Sequence, residues 1–218
     1  MFDTIKQLFG FGPREPRQLS EDERVQLRDS ISSYLREGLA NAWPVEEVRE
    51  TALDVLSGGL PDEELAAEID ALLPELEAER KAEMAEWPDV TDCDRLDAAF
   101  AELQASGLIA EQNFWCCQSC ASSDVHATIK KARKSGGTVP RGYVFYHDQD
   151  TECAIQGGGL YLAFGSREGK NAACQAIASE VVDTLKRYGL EPDWNGKLDE
   201  RIFLPFDWKR RSPLPKFY

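Results

Sequence analysis

Three of the six cysteines fall within five positions of the stretch Asn113-Phe114-Trp115-Cys116-Cys117-Gln118-Ser119-Cys120. No other segment concentrates so much reactive chemistry. Cys117-Gln118-Ser119-Cys120 is a Cys-x-x-Cys, and at a strand end ahead of a helix that spacing lets the helix N-terminus stabilise one thiolate while two thiols cycle with a disulfide. Cys116, Cys117, Cys120 and His126 also offer ligands for zinc. Buried thiols that serve only packing are the third reading. Four features speak against the first two. Neighbours on a strand point to opposite faces, so Cys116 and Cys117 are not expected to share one ion, and no second Cys-x-x-Cys completes four ligands. The helix is expected to begin two or three residues later than a dithiol site requires, with no βαβ unit before it.

A second constellation is Tyr146-His147-Asp148-Gln149-Asp150-Thr151-Glu152, which contains one of only two histidines. Read as a turn between two strands, its alternation places Asp148, Asp150 and Glu152 on one face, an arrangement suited to a hard cation or to acid–base work. A hydrated hairpin whose aspartates cap the backbone is the plain alternative. The candidate site is therefore Cys116, Cys117, Cys120, His147, Gln149, Asp150 and Glu152. Cys117, Cys120, His147 and Asp150 are its candidate metal ligands.

The elements that must position these residues change character along the chain. Residues 1–18 form an arm in which Phe2, Ile5, Leu8, Phe9 and Phe11 predict a short amphipathic turn before a Gly/Pro linker. Residues 19–110 read as an acidic helical lobe. Ser20 and Glu23 form a capping box, Pro44 and Pro61 open the next two helices, Gly58-Gly59 stops one of them, and Pro74 is expected to kink or divide the third. A fourth helix runs from Thr91 to Ser106 and stops at Gly107. Residues 111–208 read as an α+β lobe. Strands are predicted at Glu111–Cys117, Gly142–His147, Thr151–Ile155, Leu160–Phe164, Glu191–Trp194 and Arg201–Phe206. Helices are expected at Asp124–Lys134, capped by Ser122 or Ser123, and over Ala173–Tyr188. Residues 209–218 are a basic tail expected to lie on the surface or to pack its last aromatics against the body. The fold class is α+β: a helical bundle followed by a mixed or antiparallel sheet covered on one face. If the strands on either side of the first α+β helix are parallel neighbours, their C-terminal ends coincide and bring Cys117 and Cys120 towards His147 and Asp150.

Charge narrows the function classes. Of the net −14, residues 1–110 carry 10 Lys+Arg against 26 Asp+Glu, whereas residues 111–218 carry 15 against 13. An acidic lobe repels phosphate backbones, so no nucleic-acid partner is expected, even though Asp92–Phe114 has the helix-then-strand outline of a winged helix. No run approaches a membrane span and no signal peptide is evident, so a cytoplasmic protein with free thiols is expected and no membrane partner.

The motifs Phe-x-Cys-Cys-x-x-Cys over 114–120 and Tyr-x-Phe-x-His-x-Gln-Asp-x-Glu over 143–152 occur in order, with Gly158–Gly165 and Gly189–Gly196 beyond them. Together they resemble a bacterial family known only as a domain of unknown function, over most of residues 90–211. The resemblance implies the same α+β fold and brings no activity. This sequence departs from the family at Ala121 and Asp148, which leaves His147, Gln149, Asp150 and Glu152 as the matching positions of the second motif. The leading expectation is a non-catalytic binding or interaction protein whose acidic lobe meets a basic protein, with an immunity protein as its sharpest form. The alternative is a small metal- or thiol-dependent enzyme that uses the Cys116–Cys120 stretch with the His147–Glu152 hairpin.

Overall fold

A computed structural model describes residues 20–57 and 60–214. The apolar turn expected at Phe2–Phe11, the Gly58-Gly59 stop and the final aromatics Phe217 and Tyr218 lie outside the described residues. The described chain divides into two compact units, residues 20–39 with 44–80, and residues 40–43 with 81–214. Among the described residues no helix is long and apolar enough to cross a membrane.

The first unit is built from α1 (Glu21–Ala40), α2 (Val45–Val55) and α3 (Asp62–Ala85). The capping box opens α1: Ser20 N–H donates to Glu23 Oε2 at 2.9 Å, and Glu23 N–H donates to Ser20 Oγ at 3.3 Å. Ile31, Leu35, Val48, Ala52, Leu65, Ile69 and Leu73 are buried at helical spacing and form its core. Exposed ion pairs Arg36–Glu79 and Arg49–Asp70 add little to this. Pro74 does not divide α3. It withdraws one helical donor, but Leu72, Leu73 and Leu76 on either side are buried and hold the helix together.

The second unit contains α4 (Asp92–Ala105), β1 (Ile109–Glu111), α5 (Gln118–Ser135), β2 (Gly142–Phe145), α6 (Asp148–Ile155), β3 (Leu160–Ser166), α7 (Asn171–Arg187) and β4 (Ile202–Leu204). The fold is α+β, with a mixed sheet in the order β1-β2-β3-β4. β1 and β2 are parallel, Ile109 pairing with Tyr143 and Glu111 with Phe145, and α5 makes the crossover. β3 is antiparallel to both β2 and β4.

Helices cover both faces of this sheet, not one. Leu96, Ala99, Phe100 and Leu103 of α4 and Ile177, Val181 and Leu185 of α7 pack with Ala110, Val144, Leu160, Leu162, Ile202 and Leu204. Ala121, Val125 and Ile129, one stripe of α5, pack with Phe114, Phe145 and Ala163 on the other face. Strand alternation at Val144 and Phe145 sorts neighbouring residues into the two cores. Close approach of α7 to the sheet depends on Gly142, where a Cβ would lie 2.2 Å from Gly165 O and from Ile177 Cδ1.

Several expected elements take another form. Residues 112–117 are a loop, so the strand expected at Glu111–Cys117 is confined to Ile109–Glu111, and α5 starts at Gln118 rather than Asp124. Thr151–Ile155 is the end of helix α6, not a strand. The helix wins because Asp150 caps its own first turn and glycines close its end. Gly157 N–H reaches Ala154 O (3.0 Å) and Gly158 N–H reaches Cys153 O (2.9 Å), with Gly157 at φ 82°. The glycine run therefore joins a helix to a strand and is not a hairpin turn. Glu191–Trp194 contributes a single bridge, Asp193 with Phe203.

The basic tail is partly interior. Arg210 is 2% exposed and makes a bidentate pair with Asp97 (2.8 and 3.1 Å), and it also donates to Gln112 Oε1 at 3.2 Å. Gln112 Oε1 accepts from the buried Tyr146 hydroxyl (3.0 Å), and Gln112 Nε2 donates to Asp97 (2.9 Å). Removing the cation takes the charged partner from Asp97 and leaves it the Gln112 amide, so Arg210→Met is expected to cost about 3 kcal/mol, the lower part of the range for a broken buried pair because Asp97 stays half-solvated. Urea unfolding of both proteins checks it. A change below about 0.5 kcal/mol, the usual scatter of surface substitutions, would show that the network adds nothing.

Candidate functional site

The cysteine stretch owes its shape to two left-handed residues, Asn113 (φ 52°) and Trp115 (φ 63°). Asparagine tolerates that conformation, but tryptophan adopts it at a cost of about 1 kcal/mol or more. Contacts to β2 and α6 hold the loop against that strain. Phe114 N–H donates to Tyr146 O (2.8 Å), Asp148 N–H donates to Trp115 O (3.0 Å), and the Thr151 hydroxyl donates to Asn113 Oδ1 (2.7 Å). Phe114 is buried against Phe145, with ring centroids 5.9 Å apart. The loop delivers Cys117 in an extended conformation (φ −159°, ψ 168°) as the N-cap of α5.

At that helix start the sulfurs of Cys116, Cys117 and Cys120 all lie within 4.8 Å of one another. The expected separation of Cys116 and Cys117 onto opposite faces does not occur, because neither belongs to a strand. All six cysteines are free thiols, with Cys116 and Cys120 exposed and Cys117 half-buried. The backbone amide of Cys120, its side chain and the amide of Ser119 favour the Cys117 thiolate and lower its pKa. Cys120 is pushed up to about 11, because hydrogen bonding to Cys116 and Cys117 retains its proton and their negative charge opposes a further one. The first turn of α5 thus holds one thiol primed to ionise beside one that stays protonated.

His147 is the N-cap of α6, and its N–H donates to Oδ2 of the third helical residue, Asp150, at 3.1 Å. Asp150 is 4% exposed and pairs with Arg201, whose Nη1 lies 3.1 Å from Oδ2 and whose Nη2 meets Oδ1. The same Nη1 lies 3.2 Å from His147 Nε2 and donates to Gln118 Oε1 at 3.3 Å. A guanidinium only donates, so Nε2 can take part in this contact only as acceptor, while His147 Nδ1 lies 3.2 Å from Asp150 Oδ2 without meeting hydrogen-bond geometry. Burial lowers the His147 pKa and Arg201 lowers it further, against the opposing pull of Asp150.

The structure thus gathers His147 and Asp150 with Gln118, the first residue of α5, through one arginine. Gln149 is exposed, and Glu152 lies one helical turn from Asp148. Burial and the Glu152 charge raise the Asp148 pKa. Helical spacing turns Asp150 away from that pair, so the three carboxylates do not share a face. Sequence reasoning missed Arg201 and Gln118. The available signal was a lone arginine at the head of an apolar strand, one residue out of phase with Ile202 and Leu204. Beyond Arg201, whose guanidinium sits 5.2 Å from the Tyr161 ring, lies a cleft of about 400 Å³ walled by Tyr161, Trp194 and Phe203 with Asp193 and Glu200.

A family model described as a domain of unknown function, DUF6891, matches residues 20–212. The chain belongs to this family. No curated protein and no solved structure matches it. The DUF6891 match spans both units and takes in every residue of the site, from Cys116 to Arg201.

His147 gives the site a pH signature. Its folded pKa lies below the ordinary value near 6.5, so in the window beneath about pH 6.5 the unfolded chain binds a proton that the native chain refuses, and stability falls as pH drops. Asp148 and Glu111, raised by burial, act with the opposite sign, and the comparison with a His147 variant separates their contribution. Urea midpoints measured at about pH 7.5 and about pH 5.5 should fall further for the wild type than for His147→Gln. Equal losses in both proteins would remove His147 as the cause.

Proposed function

We propose that this protein carries out thiol–disulfide exchange, with Cys117 as the attacking thiol and Cys120 as the resolving one. The observation that carries this reading is the meeting of the sulfurs within 4.8 Å in the first turn of α5. A disulfide needs its two sulfurs near 2 Å apart with Cβ atoms 3.5–4.5 Å apart, and residues three apart at a helix start reach that by side-chain rotation. The direct start of α5 at Gln118 removes one objection that the sequence raised, although no βαβ unit precedes the site among the described residues.

The Cys117 thiolate attacks one sulfur of a substrate disulfide R–S–S–R′, forming a Cys117–S–R bond and expelling R′S⁻, which takes a proton from solvent. Cys120 then gives up its proton and attacks Cys117 Sγ. The Cys117–Cys120 bond forms and RS⁻ leaves. The protein dithiol is oxidised by two electrons and the substrate disulfide is reduced to two thiols. Arg201 acts by position, fastening Gln118 at the head of α5 to Asp150 and His147.

Limiting iodoacetamide on the native reduced protein near pH 7, followed by peptide mass spectrometry, should modify Cys117 first and the buried Cys93 last. Equilibration with oxidised glutathione should yield an intrachain Cys117–Cys120 disulfide. Cys117→Ser should slow reaction with an aromatic disulfide probe by about 100-fold, since a hydroxyl is not ionised at this pH. Modification of Cys117 no faster than Cys93, or oxidised protein lacking the Cys117–Cys120 bond, would defeat this reading.

A second reading attaches to the first unit. Its helices open on Glu21-Asp22-Glu23, Glu46-Glu47 and Asp62-Glu63-Glu64, and none carries a basic residue in its last turn. That surface supports a basic protein as partner, including an immunity-like role, with binding that weakens as salt screens it. Retention of no protein partner at low salt would end it.

A further inference from the structure

We infer that Cys116, Cys117 and Cys120 together form a binding site for one thiophilic metal ion, zinc, held by three thiolates with a fourth position open to water or an incoming ligand. This rests on the reading of Cys117 and Cys120 as the working thiols and adds Cys116, which a two-thiol couple leaves without a task. Cys116 and Cys120 are exposed, so burial gives no reason for three sulfurs to meet. Zinc–sulfur bonds of about 2.3 Å place tetrahedral ligands about 3.8 Å apart, and sulfurs already within 4.8 Å reach that by rotation about their side-chain bonds. The ligands are soft, which excludes calcium and magnesium, whose shells are oxygen. His147 and Asp150 are engaged by Arg201, and the cluster of candidate ligand atoms among the described residues is the three sulfurs alone. Three protein ligands and one open position is the pattern of zinc sites that exchange ligands, while structural sites close with four.

The balance is simple. One Zn²⁺ displaces up to three thiol protons, and no electrons move. Formation of the Cys117–Cys120 disulfide takes away two ligands, so oxidation by a substrate disulfide releases the ion, and bound zinc in turn shields Cys117 from exchange.

The test uses the full-length reduced protein, zinc alone as probe and a chromophoric chelator as competitor. One equivalent is expected to bind and to slow alkylation of Cys117. Cys116→Ser, at an exposed position, should fold normally and weaken zinc binding by at least about 10-fold while still forming the Cys117–Cys120 disulfide with oxidised glutathione. Zinc binding equally strong in Cys116→Ser, or no binding by the wild type while exchange proceeds, overturns the metal site and leaves the exchange reading intact. Stoichiometric zinc dependent on all three cysteines, in a protein that forms no Cys117–Cys120 disulfide, would keep the metal site and remove the exchange reading.

Discussion

The site depends on how residues 113–115 are fastened to the end of β2. The parallel β1–β2 pair brings two strand ends to one sheet edge, but a chain that continued as a strand past Glu111 would send Cys116 and Cys117 to opposite faces. Hydrogen bonds from Phe114 to Tyr146 and from Asp148 to Trp115 bend it instead through two left-handed residues. At Trp115 that backbone costs on the order of 1 kcal/mol or more. Burial of Phe114 contributes about 2 kcal/mol in return, and the Asn113–Thr151 hydrogen bond adds about 1 kcal/mol. The strain is held by α6 as much as by β2, since Asp148 and Thr151 both belong to that helix. A helix only eight residues long therefore decides where the thiols stand.

Two buried or half-buried arginines organise the rest of the second unit, and both come from the segment that closes the chain. Arg201 meets Asp150 and Arg210 meets Asp97, each through both guanidinium nitrogens. Arginine suits these positions because its planar fork matches a carboxylate and its charge survives burial. Replacing such pairs with packed apolar side chains often raises stability, so their value lies more in register than in free energy. Each arginine accepts one arrangement of its neighbours. Arg201 fixes the head of α5 against the head of α6, and Arg210 fixes the loop after β1 against α4. Arg211 stacks on Trp87 at 5.4 Å, and the Trp208 indole donates to Ala40 O at 3.0 Å. A segment that looked like a solvated basic tail is therefore a clasp.

The parts of the fold legible in the sequence were those fixed by local chemistry. Ser20 and Glu23 do cap α1, Thr91 begins α4 through a reciprocal pair with Asp94, and Gly107 and Gly189 stop α4 and α7. The connection across α5 was long enough for a crossover, which left parallel pairing open, and β1 and β2 are parallel. What misled was short β-rich sequence whose fate is decided by distant partners. Phe114-Trp115 and Thr151 through Ile155 favour strands by type, yet the first is bent by hydrogen bonds to residues more than thirty positions away and the second is capped by Asp150. An acid three residues after His147 was a readable helix-start signal, masked by the unusual histidine cap. Arg201 offered only its place at the head of an apolar strand as a signal, because its role exists only once β4 lies beside β3.

The six cysteines separate into kinds once their surroundings are compared. Cys93 lies at 1% exposure in the core between α4 and the sheet, where burial pushes its thiol up to about 12, so it serves as a small apolar side chain. Cys153 packs under Gly158, whose added Cβ would come within 2.5 Å of its sulfur, and Cys174 receives the Ser166 N–H at 3.4 Å. Each of these has a structural reason to be where it is. Cys116 and Cys120 fill no core, and Cys117 caps a helix at a position where serine, threonine or aspartate would cap better. Three oxidisable groups thus stand at one helix end, where neighbouring amides favour the Cys117 thiolate. The spacing that the loop imposes on them is the observation on which the exchange and zinc proposals both rest.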